Sequence, residues 1–576
     1  LTGNISFDEL CERYNVTGME RLFADNGCAE RTRKAGLDLW YIIRFEGSAE
    51  QVAEDFGEIA GVNHVEIPRR ITKVGGMSRK SGTPWRKLMA LPKAAPSNYP
   101  FNDPLFGGQW PLYNDGTINA NAQAGADINV LPAWEKTAGR SDVIVAVVDE
   151  GVEYTHPDLA GNMWSGIGKN FCDRDNDDIT WGEGHGTHVA GTIAAVSNNG
   201  IGISGIAGGT GGGNGAKIMS CEIFHPTDGH YDANSNATAD AIKYAADNGA
   251  VILQCSWGYN SALADAATSM RGFATDEEWA QNCPLEKEAM DYFIHNAGSP
   301  NGTIEGGLII FASGNEYAAA AGYPGAYGDF ISVAAMDASF MPSSYTNYGR
   351  GVDITAPGGD SDYHKSVQGS VYSTMPPLLS DGVGYGYMDG TSMACPHVSG
   401  VAALGLSYAA KLHKHFTAKQ FKELILQSTR DLSPYMSGSK LYYKYYALAG
   451  ESTPVLMEMN KYYQGQMGSG LIDANKLLTL VEGNGVKQEL PNIYLATGEK
   501  NRQTLEPARF FDGGESMTFT VESANPEIAT AAIEGNKIII TGTAIGSTSY
   551  TVTASNGEKQ TADITVRRKA NDNGWL

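Results

Sequence analysis

The chain has 576 residues, more than one hydrophobic core can serve, and its length predicts about three domains. Hydrophobic residues at 42% and charged residues at 19% exclude a disordered chain, and a net charge of −23 disfavours nucleic acid and anionic membrane as partners. Seven scattered cysteines, at 11, 28, 172, 221, 255, 283 and 395, give no disulfide framework, and no run of about 18 apolar residues is present to span a membrane.

In chain order, "SFDELCERYNVTGMERLFA" (6–24) is helix-prone. "LDLWYIIRFEG" (37–47) reads as a strand, and "SAEQVAEDFGEIAG" (48–61) as a helix capped by Ser48. "VNHVEIPRRITKV" (62–74) reads as strand again. Together they predict a small α+β unit over 1–75. Residues 76–100, rich in Gly, Pro, Ser and basic side chains, read as a linker.

From 101 to 482 short apolar runs alternate with helical stretches. "VIVAVVDEG", "KIMSCEIF", "GAVILQCSWG", "GLIIFASGN", "FISVAAM" and "VDITAPG" read as buried parallel strands, and "ATADAIKYAADNG" and "EKEAMDYFIHNAG" as helices between them. The expected fold class is α/β, a parallel sheet with helices on both faces. The tail, 486–568, changes to short alternating strands with turns such as "EGN" and "SNG", the pattern of a β-sandwich.

Three segments place a polar residue at a strand end or a helix start. Asp149 follows a buried strand, where α/β active sites form. In "GHGTHVAGT" (184–192), His185 opens a helix whose small residues permit close packing. Ser392 opens another helix, in "MDGTSMACPHVSGVAAL", where first-turn amides and the dipole favour negative charge. An imidazole that takes a serine proton, and a carboxylate that fixes the imidazole's tautomer, make an acyl-transfer triad. Asn315, after "IIFAS", offers an amide for the oxyanion. Zinc binding by His185 and His188 is the rival reading. Their i,i+3 spacing and the missing glutamate depart from H-E-x-x-H.

"HGTHVAGT" and "GTSMACPHVSGVAAL", with Asp149 and "SGN", resemble the subtilisin-type serine proteases, the subtilase family, over about 100–482. The resemblance implies a subtilisin-like fold and a serine endopeptidase acting through an acyl-enzyme. Asp149 orients the base, His185 takes the proton, Ser392 attacks and Asn315 supports the oxyanion. Ser256, Trp257 and Gly258 of "QCSWGYN" match the edge strand that pairs with an extended polypeptide substrate.

The resemblance also implies a structural calcium ion, held by the side chains of Asp103, Asp158 and Asn199 and the carbonyls of Val196, Ile201 and Ile203. Kexin-like relatives carry Asp where this chain has Glu150, so Glu150 is expected to favour a basic substrate residue. Asp173, Asp175, Asp177 and Asp178 form an acidic loop without the glycine and glutamate of an EF-hand. The N-terminal unit resembles a subtilase prodomain, implying a zymogen inhibited by its own N-terminal segment and cut in the linker. The tail resembles bacterial immunoglobulin-like repeats. A secreted or cell-surface setting follows, any export signal being absent from this chain. Two other classes stay open: a binding or adhesin protein with a degenerate protease domain, and an esterase on the same scaffold.

Overall fold

The structure is a computed structural model that describes residues 3–23, 27–73, 93–173, 176, 178–227, 230–266, 269–446, 451–487, 489–497, 501–511, 514 and 517–568. Its chain divides into two units. The first comprises Leu1–Gly298, Glu305–Ser407 and Thr417–Leu480, the second Ser299–Ile304, Tyr408–Phe416 and Val481–Leu576.

The first unit opens with α1 (Ile5–Arg13), whose cap Asn4 accepts from the Phe7 amide. The single helix expected over 6–24 stops there, and Gly18–Arg21 is a strand, β1. The physical reason is non-local: "GMER" has no apolar helical period, and its backbone finds partners in β2 (Tyr41–Arg44), with Gly18 opposite Arg44. After α2 (Ala29–Lys34), the helix α3 (Ala49–Gly57) begins at Ser48. The Ser48 hydroxyl bonds Glu50 at 2.6 Å and not a helix amide, so that cap is positional only. Residues 62–69 are irregular, and of the strand expected over 62–74 only β3 (Arg70–Lys73) forms. Most of the expected linker, 76–92, lies outside the described residues.

These first 73 residues bury little among themselves: Leu10, Val52 and Phe56 form a small cluster. Leu22, Phe23, Leu37 and Ile71 instead join the large cluster of the main domain, with Ala239, Ala246 and Phe293. Polar contacts seal the seam. The Trp40 indole donates to Glu288 at 2.6 Å, and Arg31 meets the buried Asp247 at 3.3 Å.

The main domain runs through α4 (Leu131–Trp134), β4 (Ile144–Asp149), β5 (Met163–Asn170), α5 (His185–Ala194), β6 (Lys217–Glu222), β7 (His225–Thr227), β8 (His230–Asn234), α6 (Ser235–Asp247), β9 (Ile252–Cys255), β10 (Trp257–Gly258), α7 (Asp276–Asn282) and α8 (Pro284–Asn296). Among the described residues, nine strands make one sheet in the order Thr429–Arg430, Leu471–Ile472, Ile354–Pro357, Ile331–Met336, Leu308–Ala312, β9, β4, β6, β5. Neighbours are parallel except the first pair. Strands covered on both faces must be apolar throughout, which is why "IVAVV" shows no alternation. Ala146 and Val148 join Ile242 of α6 and Met290 of α8, while Val145 and Val147 are equally buried on the opposite side.

A hairpin, Ser439–Tyr446 with Glu451–Glu458, closes the unit. Lys440 enters from it, and its ammonium is held by Asp337 at 2.8 Å, Asp360 at 2.7 Å and the Pro342 carbonyl at 2.8 Å. A charge so enclosed is tolerable only when paired.

In the second unit, Ile493–Ala496, Lys559–Arg567, Gly546–Ala554 and Phe519–Ser523 form a four-stranded sheet, and Arg502–Leu505, Lys537–Gly542 and Ala529–Glu534 a three-stranded one. Both contribute to one apolar cluster that includes Ile493, Val552, Ile564, Ala529 and Ile538.

Candidate active site

The parallel sheet delivers three segments to its carboxyl edge. Val148 lies opposite Cys255, so Asp149 and Ser256 leave the sheet side by side. Asn315 leaves after Leu308–Ala312. The Asp149 carboxylate oxygens sit 2.9 and 3.0 Å from His185 Nδ1, with both residues buried. An ionised carboxylate only accepts, so Nδ1 carries the hydrogen and Nε2 keeps a lone pair. Nε2 has no hydrogen-bond partner among the described residues.

Small residues bring His185 close. A Cβ on Gly186 would stand 2.3 Å from the Gly151 carbonyl, and one on Gly191 2.1 Å from Thr374 Oγ1. The strand Val371–Thr374 then clamps α5: Ser373 and Thr374 hydroxyls donate to the His188 and Thr187 carbonyls, each at 2.7 Å. His188 Nε2 lies 3.1 Å from the Val371 carbonyl. Burial, with His185 adding to it, pulls His188 down to about 3, so it stays neutral and structural. Burial likewise pulls His397 down to about 4, and its Nδ1 meets Met393 O at 2.8 Å.

Glu150 departs from expectation. It is fully buried, and Oε1 accepts the His185 amide at 2.5 Å. That carboxylate oxygen is committed to main chain at a helix N-terminus, where such charge is worth about 0.3–2 kcal/mol, and a basic-substrate role for Glu150 is not carried forward.

Ser392 lies in the first turn of the helix Thr391–Lys411 and is fully buried. Its main chain is held by Ser256, whose hydroxyl donates to the Ser392 carbonyl at 2.9 Å. Gln254 fixes Ser256 at 2.9 Å and is itself held by Ser399 at 2.5 Å. The Ser392 hydroxyl makes a long 3.4 Å bond to the Ser256 carbonyl and none to His185 Nε2. Catalytic bonds in substrate-free sites are commonly long and tighten on binding.

Asn315 Oδ1 accepts from the Thr391 amide at 2.9 Å and the Thr391 hydroxyl at 2.8 Å. Two donors on one oxygen fix the amide's orientation and reserve Nδ2 as the donor. Thr391 is therefore a site residue that sequence reasoning missed, though it sits beside the serine. Glu316 is another. Its carboxylate accepts from the backbone N–H of Asn315 at 3.2 Å and from Asn347 Nδ2 at 2.5 Å. Burial raises its carboxyl above the usual range.

The expected substrate edge is divided between core and rim. The Trp257 side chain is fully buried and donates to the Val148 carbonyl at 2.9 Å, so only its main chain faces outward. That main chain pairs antiparallel with β3 of the N-terminal segment: Trp257 opposite Lys73, Gly258 opposite Thr72. Behind this edge lies Glu286 of α8, fully buried. Its Oε2 accepts from Tyr259 at 3.1 Å and Trp279 at 3.4 Å, and Oε1 has no partner among the described residues. Burial, with the charge of Glu66 next, pushes Glu286 up to about 8. Glu66 of the N-terminal segment accepts the Leu285 amide at 3.2 Å.

The residues expected to hold calcium converge in part. Asp103 and Asp158 are buried, and Asn199 lies between them: its amide nitrogen is 2.7 Å from Asp158 Oδ1, its backbone N–H 3.1 Å from Asp103 Oδ1. Ile203 and Val196 turn N–H groups toward Asp158, to its carboxylate at 2.9 Å and its carbonyl at 2.7 Å. Ile201 donates to Asn199 Oδ1 at 3.0 Å. Two enclosed carboxylates and an asparagine suit a hard cation in chemistry, and exchanging Asn199's amide ends would present oxygen. No cluster of three or more His, Cys, Asp or Glu fit for a metal is present among the described residues. In the acidic loop, Asn170 accepts from the Asp173 amide and donates to the Asp178 carbonyl, and Asp175 and Asp177 lie outside the described residues.

The sequence profile described as "Subtilase family" matches residues 140–445. The chain is 34% identical over 317 residues to the thermophilic serine proteinase of Bacillus sp. (strain AK1), covering 54% of this chain and 62% of that protein. It is 33% identical over 294 residues to thermitase of Thermoactinomyces vulgaris, covering 50% of this chain and 84% of that one. The crystal structure of fervidolysin from Fervidobacterium pennivorans, titled a keratinolytic enzyme related to subtilisin, aligns with a TM-score of 0.53 at 20% identity, over 98% of this chain and 76% of that chain, a likeness of fold. The chain thus spans about 62% of the length of the first of these relatives.

Proposed function

The chain belongs to the subtilase family, and from that premise we propose that it is a serine endopeptidase made as a zymogen. One observation carries the reading: Asp149 holds the buried imidazole of His185 by Nδ1, leaving Nε2 as a proton acceptor at the sheet edge from which Ser256 grips Ser392.

In this reading a substrate strand lies along β10. Ser392 Oγ attacks the scissile carbonyl as its proton passes to His185 Nε2, and Asp149 stabilises the imidazolium. The oxyanion is met by Asn315 Nδ2 and the first-turn amide of Ser392, donors of a kind worth about 3 kcal/mol each. His185 then protonates the leaving amine, and water cleaves the acyl-enzyme by the reverse roles. Polypeptides are the substrates because β10 offers main chain and not side chain. The pairing of β3 with that same edge supports the N-terminal segment as an intramolecular inhibitor. Secretion or display at the cell surface belongs to the same reading, and the tail is assigned as an immunoglobulin-like sandwich. The test is covalent. A fluorophosphonate should label the matured protein, and mass spectrometry should find the adduct on Ser392. Labelling elsewhere, or none in protein freed of its N-terminal segment, would refute the reading.

Calcium is proposed at Asp103, Asp158 and Asn199, where it would tie the 199–203 loop to the start of the main domain. Chelation is then expected to lower the thermal midpoint, since a ligand at a hundredfold excess over its Kd adds about 3 kcal/mol. Asp158→Asn should erase the difference between calcium and chelator. Equal melting of the wild type in both conditions would remove the ion from the account.

A further inference from the structure

The first donors of a helix have no acceptor inside it, and a side chain at the cap normally supplies one. In α5 the cap is Gly184, at φ 88°, which has no side chain to offer. The amide of His185, first residue of the helix, turns instead to Glu150 Oε1 at 2.5 Å. Glu150 also gives its own N–H to Asp149 Oδ1 at 2.8 Å. One buried residue therefore reaches both members of the 2.9 Å Asp149–His185 contact. Its main chain steadies the acceptor, and its side chain holds the backbone from which the imidazole hangs. The surroundings leave little slack. Gly151 follows at φ 88°, where a Cβ would meet the Thr180 carbonyl, and Gly186 packs against the Gly151 carbonyl.

We propose that Glu150 is a positioning residue that sets the placement of the general base, a role resting on the serine-peptidase reading above. What the site needs from it is reach and an acceptor oxygen. Glutamine preserves both and removes the charge. Aspartate keeps the charge and falls one methylene short. Alanine removes everything. A misplacement of about 1 Å at a catalytic group costs on the order of 100-fold in rate, so the effect belongs in kcat.

The experiment compares the full chain with E150Q, E150D and E150A. The substrate is a coumarin amide of Arg-Ile-Thr-Lys-Val, the sequence of residues 70–74. Active sites are counted with a fluorophosphonate, and assays run well below each variant's melting temperature. Expected are kcat losses of about 10- to 100-fold in E150D and E150A with KM within about twofold, and E150Q within about threefold of wild type. Should E150A not fold, E150D against E150Q decides alone. The proposal is overturned if E150D matches wild type, or if E150Q falls as far as E150D. A wild type that neither labels nor hydrolyses any peptide after maturation would instead sink the peptidase reading, a distinct result.

Discussion

Replacing Ser392 with alanine is expected to leave the protein folded, unprocessed and inert toward peptides. The change removes the hydroxyl's long 3.4 Å bond to the Ser256 carbonyl. The grip that does hold the segment, Ser256 to the Ser392 carbonyl, is main chain and survives the change. Losing a triad nucleophile costs about 10⁴- to 10⁶-fold in kcat. The variant should therefore stay at 61.4 kDa. The wild type should lose its N-terminal segment beyond the paired strand. Thr72 stands opposite Gly258 and Lys73 opposite Trp257. Lys73 is the last described residue on that edge, so cleavage is expected on its carboxyl side, within 74–92, a stretch outside the described residues. Intact mass and N-terminal sequencing check this. Normal processing of the alanine variant would contradict the assignment of Ser392.

Glu286→Gln is expected to stabilise the protein at alkaline pH and do little in acid. The folded Glu286 titrates near 8, well above the 4.5 of an exposed glutamate, because burial and then Glu66 disfavour its charge. A carboxyl with a raised folded value binds its proton more tightly when folded. Stability is therefore intact below about pH 4.5 and erodes as pH rises through 8. The full difference is worth on the order of 5 kcal/mol. Glutamine cannot ionise, and its oxygen still accepts from Tyr259 and Trp279. Both proteins carry Ser392→Ala, so the N-terminal segment and its Glu66 stay in place, and the other titratable neighbours, Tyr259, Cys283 and Glu66, are the same in both. Thermal melts at about pH 5 and 8.5 test the claim. It fails if the melting temperatures of parent and variant decline in parallel between the two.

The strands and the reactive residues were legible because each is written locally. A buried parallel strand needs an unbroken apolar run, and "VIVAVVDEG" supplies it with Asp149 at its end. His185, Ser392 and Asn315 stand inside long strings of small residues whose bulk is limited by close packing, as Gly186 and Gly191 demonstrate. What stayed hidden depends on distant partners. Gly18–Arg21 is a strand only because Tyr41–Arg44 pairs with it. Glu150 looked like a substrate contact because nothing in "VVDEG" tells where its side chain turns, and its partner amide is 35 residues away. The Lys440 cluster joins residues separated by 80 and 103 positions, a relation no periodicity can express.

That cluster has a practical consequence. An ammonium wrapped by two carboxylates and a carbonyl offers no lone pair to an electrophile while the hairpin stays seated. Acylating tags should therefore modify the surface amines within minutes and reach Lys440 only as the 439–458 hairpin lifts. The rate at which that single amine acquires its tag becomes a timer for the excursion, readable by mass spectrometry without any engineered probe.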